Sequence, residues 1–209
     1  MTNFFKPLVI LSVLAVGTMA KNGMAVKNAF LPKTFEAQFV KEEKNVLSGK
    51  MMRSQGKVNY QYPGRIRMES TGNDKTIFVS NPFETFLYIP SDFEGVPNEL
   101  TVNKTKNVPM SKFFDALEKG LKTNSIYTVK RKKKYVYLVF SKSGITEMKI
   151  LSAKLYFGGK EKFSYLKKVE ITLDNNKDML FSFNHIKVNR KFSKSIFEFK
   201  APANTRISH

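Results

Sequence analysis

Gly56-Lys57-Val58-Asn59-Tyr60-Gln61-Tyr62-Pro63-Gly64-Arg65-Ile66-Arg67-Met68-Glu69 reads as two strands joined by a tight turn. Val58, Tyr60 and Tyr62 alternate with Lys57, Asn59 and Gln61, and beyond Pro63-Gly64 the apolar Ile66 and Met68 alternate with Arg65, Arg67 and Glu69. Successive strand side chains point to opposite faces, so a period of two marks a half-buried strand. The pattern extends outward. Upstream, Phe35, Ala37 and Phe39 alternate with Glu36, Gln38 and Val40. Downstream it recurs over 76–80, 85–89, 125–130 and 135–140, then in three longer segments beginning near Thr146, Phe163 and Met179. In the second of these, Phe163, Tyr165, Val169, Ile171 and Leu173 share one face. Gly72-Asn73-Asp74, Gly158-Gly159 and Asp174-Asn175-Asn176 punctuate the runs as turns. About ten strands with short connections predict one large antiparallel sheet.

One segment breaks the period. Met110, Phe113, Phe114, Leu117 and Leu121 fall at helical spacing after Pro109, with Ser111 as a cap and Asp115 in an early turn. This predicts a short amphipathic helix over Ser111 to Leu121. Pro90 to Val108 holds turn residues with little periodicity and reads as a long loop.

Composition restricts the chemistry. The 209 residues are 42% hydrophobic, enough for one sizeable core, and carry 36 Lys+Arg against 17 Asp+Glu for a net charge of +19. With no cysteine, disulfides, thiolate metal sites and a cysteine nucleophile are excluded. His185 and His209 are the whole histidine complement, so a multi-histidine metal site is excluded too. His185 has no serine or acid at motif spacing, and adjacent Glu42-Glu43 point to opposite faces of a strand. Asp174 and Asp178 flank a turn, and no phosphate-cradling glycine loop is present. The expectation is a protein that is not an enzyme and needs no cofactor or metal.

Lys6 precedes an apolar run from Pro7 to Val16, followed by Gly17-Thr18-Met19-Ala20, where Thr18 and Ala20 fit the small-residue rule for cleavage. Residues 1–20 therefore read as a secretory signal peptide, with cleavage after Ala25 the competing site. The run is shorter than the roughly 20 residues a spanning helix requires. No cysteine is available for lipidation near either site. The expectation is a soluble exported protein with a single domain over 21–209.

Export bears on the run Lys130, Arg131, Lys132, Lys133, Lys134, which precedes Tyr135 and Tyr137. Cations interleaved with aromatics occur in single-stranded nucleic acid binders. An exported chain rarely meets nucleic acid, so none is expected as a partner. The two remaining readings are a solvated turn and a contact with anionic lipid head groups or a partner.

A sheet this large either closes on a filled core or curls around a cavity, whose mouth the helix would cap. Phe39, Tyr60, Ile66, Met68, Val79, Tyr88, Ile171 and Phe183 lie on apolar alternations and are the expected cavity-lining residues. Met110, Phe113, Phe114, Leu117 and Leu121 are the expected lid face. Flexible Met and Phe side chains can repack around the contents of such a cavity.

The run Phe35-Glu36-Ala37-Gln38-Phe39, the stretch from Gly56 to Glu69, and Phe78-Val79-Ser80-Asn81 leading to Leu87-Tyr88 resemble the outer-membrane lipoprotein carrier family, LolA. Phe197-Glu198-Phe199-Lys200-Ala201-Pro202 followed by Asn204-Thr205 is similar to that family's final strand. The resemblance implies a mainly β fold, an incomplete antiparallel barrel of about ten or eleven curled strands with a helical lid over an apolar cavity. It implies a monomeric periplasmic carrier that shields lipoprotein acyl chains. Such a carrier receives cargo from an inner-membrane ABC transporter and delivers it to an outer-membrane acceptor or the outer membrane itself. The alternative is a periplasmic lipid-binding or sensor module of the same fold that moves no lipoproteins. The family commonly places an arginine before the proline of the second strand as a latch on the lid, and Tyr62 stands there. The family's first lid helix would fall in Lys21 to Lys33, where Gly23 and Pro32 disfavour a helix.

Overall fold

The computed structural model describes residues 29–45, 48–72, 75–104 and 108–209. The expected signal peptide, both cleavage sites and most of the first lid helix lie outside the described residues. The chain enters the fold at Phe30 and Leu31, which pack on the core before β1 (Thr34–Lys44). The stretch Gly56 to Glu69 forms β2 (Met51–Gln61) and β3 (Arg65–Thr71), joined by Tyr62-Pro63-Gly64 with Gly64 at φ +70. β4 (Thr76–Ser80), β5 (Glu84–Ile89) and β6 (Asn98–Lys104) continue the meander. Helix α1 (Pro109–Ala116) follows, then β7 (Tyr127–Arg131), β8 (Val136–Phe140), helix α2 (Lys142–Met148), β9 (Ile150–Phe157), β10 (Leu166–Leu173), β11 (Asp178–Val188) and β12 (Thr205–Ser208).

Among the described residues these twelve strands form one sheet in the order β12-β6-β5-β4-β3-β2-β1-β11-β10-β9-β8-β7. All neighbours are antiparallel except β12 on β6. The sheet curls without closing, because the edge strands β12 and β7 are not paired with each other. No helix of the described residues is long and apolar enough to cross a membrane.

Four local expectations are corrected. β6 lies inside the stretch read as a loop, since its alternation of Leu100 and Val102 with polar residues is too short to register against the turn residues around it. The segment near Thr146 begins as helix α2, capped by the Ser141 hydroxyl, which accepts from the Gly144 N–H at 3.3 Å. Phe163–Tyr165 is a 3-10 turn, so Tyr165 leaves the shared face and is exposed. Phe197 to Pro202 is no strand either: a 3-10 turn (Lys194–Phe197) and extended chain cross the convex face before β12.

That crossing splits the apolar residues into two sets. The main core fills the concave face, from Phe35, Ala37 and Phe39 on β1 to Leu155 on β9 and Leu138 on β8. A smaller set covers the convex side of β4 and β5, where Phe199 meets Phe86 at 6.2 Å and Tyr88 at 5.1 Å between ring centroids. Asn81 Nδ2 and the Arg67 guanidinium donate to carbonyls of this C-terminal segment and hold it down.

The close approach of β2 to β3 requires glycine at Gly56. It pairs with Ser70, and a Cβ there would lie 1.9 Å from the Glu69 carbonyl oxygen. That obstacle is backbone and cannot rotate away, so Gly56→Ala is expected to cost about 1–3 kcal/mol of stability by forcing the strands apart. The denaturant midpoint measures it. An unchanged midpoint would show that the strands separate freely at this point.

Candidate functional site: a helical lid on the concave face

Helix α1 is short and weakly specified by its own sequence. Its N-cap is Val108, with no side-chain cap bond, and Pro109 occupies the first helical position. Ser111 is therefore not the cap; it lies within the first turn and is buried. The helix stops at Ala116, tightens into a 3-10 turn (Leu117–Lys119) and is broken by Gly120 at φ +77, so Leu121 lies beyond it. Eight residues are too few for a stable isolated helix. Tertiary contacts hold it.

Those contacts are aromatic. Phe113 and Phe114 are each 1% exposed. The Phe114 ring meets Phe35 at 5.0 Å, Tyr60 at 5.3 Å, and Phe163 and Phe183 each at 6.4 Å. Phe35 also stacks on Tyr60 at 5.2 Å. Leu117 and Leu121 are buried and Met110 is partly buried against the same core. Helix α1 thus covers the apolar concavity and fills it with its own side chains.

Of the eight expected lining residues, Phe39, Tyr60, Ile66, Met68, Ile171 and Phe183 lie on the concave face. Val79 and Tyr88 do not. Val79 pairs with Arg67, which pairs with Asn59, and Tyr88 pairs with Ile77, which pairs with Glu69. That parity is the convex face, where Tyr88 lies against Phe199 under the C-terminal segment. Both are buried, which is why alternation alone selected them.

Beyond the lid the concavity stays open as a groove of about 330 Å³, with Phe39, Met52, Met68, Phe78 and Leu87 as its apolar wall. This is near the low end for a drug-sized ligand, about 300–1,000 Å³. Lys41 and Glu43 stand at its rim. Burial alone would raise the Glu43 carboxyl, but hydrogen bonds from Lys41 and from Lys177, 3.0 Å away, outweigh it and hold it below the ordinary value. A second groove of about 400 Å³ is lined by charged and hydroxyl side chains, including Lys154, Glu170, Thr172 and Asp178, together with Met51, Met179 and Leu180.

Tyr62, the expected latch position, does not bond the helix. That side chain is 39% exposed and donates no hydrogen bond to α1 among the described residues. Asp115 instead joins α1 to the β2–β3 turn. Its Oδ1 accepts from the Tyr60 hydroxyl and from the Gly64 N–H, the latter at 2.9 Å. Burial and then the adjacent Asp115 carboxylate raise the Tyr60 hydroxyl far above the ordinary phenol range, so it stays a donor. Lys112 pairs with Glu147 at 3.0 Å and ties α1 to α2.

The far end of the lid is closed by Tyr127, whose hydroxyl donates to the Gly120 carbonyl at 2.6 Å and the Ala116 carbonyl at 3.1 Å. These are terminal carbonyls a helix leaves unpaired. Burial pushes the Tyr127 hydroxyl from its ordinary 10.0 up to about 12. The fold therefore prefers the neutral phenol; that stabilisation is complete below pH 10 and is lost as pH rises toward 12. Tyr127→Phe is expected to cost about 1–3 kcal/mol and to flatten the alkaline fall in stability between those values. Denaturant midpoints across that range measure both, and a fall as steep in the variant as in the parent would assign it elsewhere.

His185 Nδ1 lies 2.9 Å from Gln38 Oε1 on the exposed surface, at an irregularity in the β1–β11 ladder. No group of acids and histidines among the described residues is arranged to hold a metal ion. Lys130, Arg131, Lys132, Lys133 and Lys134 are all exposed at the β7–β8 turn.

The profile of the family described as "Outer membrane lipoprotein carrier protein LolA" matches residues 32–200, which span β1 through the crossing segment. The chain belongs to the LolA family. A relative in Pseudoalteromonas translucida named outer-membrane lipoprotein carrier protein is 28% identical over 96% of this chain and 93% of its own. One of the same name in Coxiella burnetii is 25% identical over 80% of this chain and 77% of its own. Among solved structures, a LolA superfamily protein from Nitrosomonas europaea aligns with a TM-score of 0.44 at 7% identity, covering 80% of this chain and 91% of that one. Where the resemblance to the LolA family pointed to a latch beside the proline of the second strand, this member has Tyr62; its helix is instead bonded by Asp115, an acid on the lid itself.

Proposed function

We propose that this protein is a periplasmic carrier that shields the acyl chains of lipoproteins and moves them from the inner to the outer membrane. One observation carries the reading beyond family membership: the face of α1 that closes the concavity is apolar and buried, so lid and cargo compete for one surface. Burying an acyl chain is worth about 0.8 kcal/mol per CH₂. Three chains do not fit a groove of about 330 Å³, so loading displaces α1 and gives the chains Phe39, Tyr60, Ile66, Met68, Ile171 and Phe183. The lid must then be weak enough to yield and firm enough to return. The uncapped eight-residue helix, held by the Asp115 carboxylate and a few other polar bonds, meets that demand.

In this reading residues 1–20 direct export, 21–209 form one carrier domain, and the protein works as a monomer without chemistry of its own. Its cargo comes from an inner-membrane ABC transporter and leaves to an outer-membrane acceptor or to the membrane itself. Mass analysis of material extracted with the natively purified protein is the test. Bound triacylated protein is the expected result. Free lipid alone, in repeated preparations from cells making abundant lipoprotein, would replace the carrier with a lipid-binding module.

A further inference from the structure

Ladder registers place the β2–β3, β4–β5, β7–β8 and β9–β10 turns at one end of the curled sheet, and the β1–β2, β3–β4 and β10–β11 turns at the other. The first end collects cations without partners. Lys130, Lys132, Lys133 and Lys134 on the β7–β8 turn, with Lys160 and Lys162 on the β9–β10 turn, are exposed and make no ion pair among the described residues. Glu161, the acid between the last two, is taken up by Arg131 at 3.1 Å. Arg131 also donates to the Leu121 carbonyl at 3.0 Å, which fixes the turn beside the end of the lid. Tyr165, 42% exposed, stands on the same β9–β10 turn.

We propose that this end is a docking face for bilayers rich in anionic phospholipid. Four consecutive residues close the β7–β8 turn, with the Lys132 N–H on the Tyr135 carbonyl at 2.9 Å, so the lysines project as a compact cluster. Lysines are flexible point charges without the fork that fixes a carboxylate or phosphate in one geometry, and neither of the two grooves described above is lined by residues of this cluster. Such a face registers no particular side chain but suits a laterally mobile anionic surface. An exposed tyrosine beside lysines has the chemistry of the headgroup layer. Docking here sets the Gly120 end of the lid next to the bilayer, without requiring that cargo be present.

The test uses the soluble, unloaded protein and protein-free vesicles, so it succeeds or fails independently of lipoprotein carriage. Vesicles of phosphatidylcholine alone are compared with vesicles containing about one third phosphatidylglycerol, and each lysine at the surface is expected to contribute about fivefold to partitioning. The expected result is binding to the anionic vesicles only and release near 1 M salt, where the Debye length falls to about 3 Å. Changing Lys130, Lys132, Lys133 and Lys134 together to Gln should lower partitioning by at least about tenfold. The control with the same loss of charge at the other end, Lys44, Lys50, Lys75 and Lys149 to Gln, should lower it much less. Equal loss in both variants would assign the effect to net charge alone and overturn the site. Binding to phosphatidylcholine, or no binding at low salt, would also overturn it. So would a defect of the first variant confined to native inner-membrane vesicles, which would identify a protein partner instead.

Discussion

Phe114→Ala is expected to open the lid. The ring is 1% exposed and is the hub at which α1 meets β1, β2 and β11 through Phe35, Tyr60 and Phe183. Truncating a buried phenylalanine costs about 3–5 kcal/mol, the transfer of the ring plus the cavity it leaves. Because α1 is uncapped and short, that loss falls on closure first and on the sheet second. A contact present only in the closed state opposes cargo by the same free energy. The variant should therefore lose about two orders of magnitude of hydrogen-exchange protection in 109–119 while β1 and β11 stay protected. It should also retain lipoprotein longer and transfer it more slowly. Phe114→Leu keeps most of the volume and should fall between variant and parent. Unchanged protection of the helix, with unchanged cargo retention, would make α1 a fixed part of the scaffold.

Asp115→Ala is the second large effect, and its sign runs against local expectation. Alanine is the better helix former, and an acid in the last turn opposes the helix dipole, so the isolated helix would gain from the change. In the protein the carboxylate accepts from Tyr60 and from Gly64, and its removal leaves a buried phenol and a turn N–H without their partner. Hydrogen bonds to a charged group contribute about 1.5–3 kcal/mol each; sharing one oxygen, the two together should cost closure about 3–4 kcal/mol. Asp115→Asn keeps an oxygen but not the charge and should lose roughly a third of that. A double-mutant cycle with Tyr60→Phe should show the two changes to be strongly non-additive. If Asp115→Ala stabilises the lid, helix propensity governs it and the bond to the turn is incidental.

The two lid residues show where legibility in the sequence stopped. Phe114 was readable because Met110, Phe113, Phe114 and Leu117 share one stripe at helical spacing, and a stripe declares a buried face whatever it packs against. Asp115 was not. An acid next to such a stripe is ordinary, and only the approach of the β2–β3 turn to within 2.9 Å makes it a latch. The bond from Tyr127 to Gly120 and the packing of Phe163 on Phe35 were hidden for the same reason, since in each case the partner lies on another element.

By itself the sequence determined the strand-rich class, the face of each strand that alternates cleanly, the place of the lid helix, the basic turn and the kinship with the LolA family. These follow from local periodicity and composition, which act over a few residues. Val79 and Tyr88 mark the boundary of that information. β4 and β5 are apolar on both faces, Ile77 and Val79 against Phe78, Phe86 and Tyr88 against Leu87, so alternation names two faces without saying which is concave. The choice was made by pairing: Phe78 inherits the concave side from Met68, Val58 and Ala37 across three strands, and Val79 takes the other. The C-terminal segment then brings Phe197 and Phe199 over the convex face, burying residues that a single covered face would have left wet. Which side of a doubly apolar strand faces the concave groove is a property of the whole sheet, because parity passes only through hydrogen-bonded neighbours.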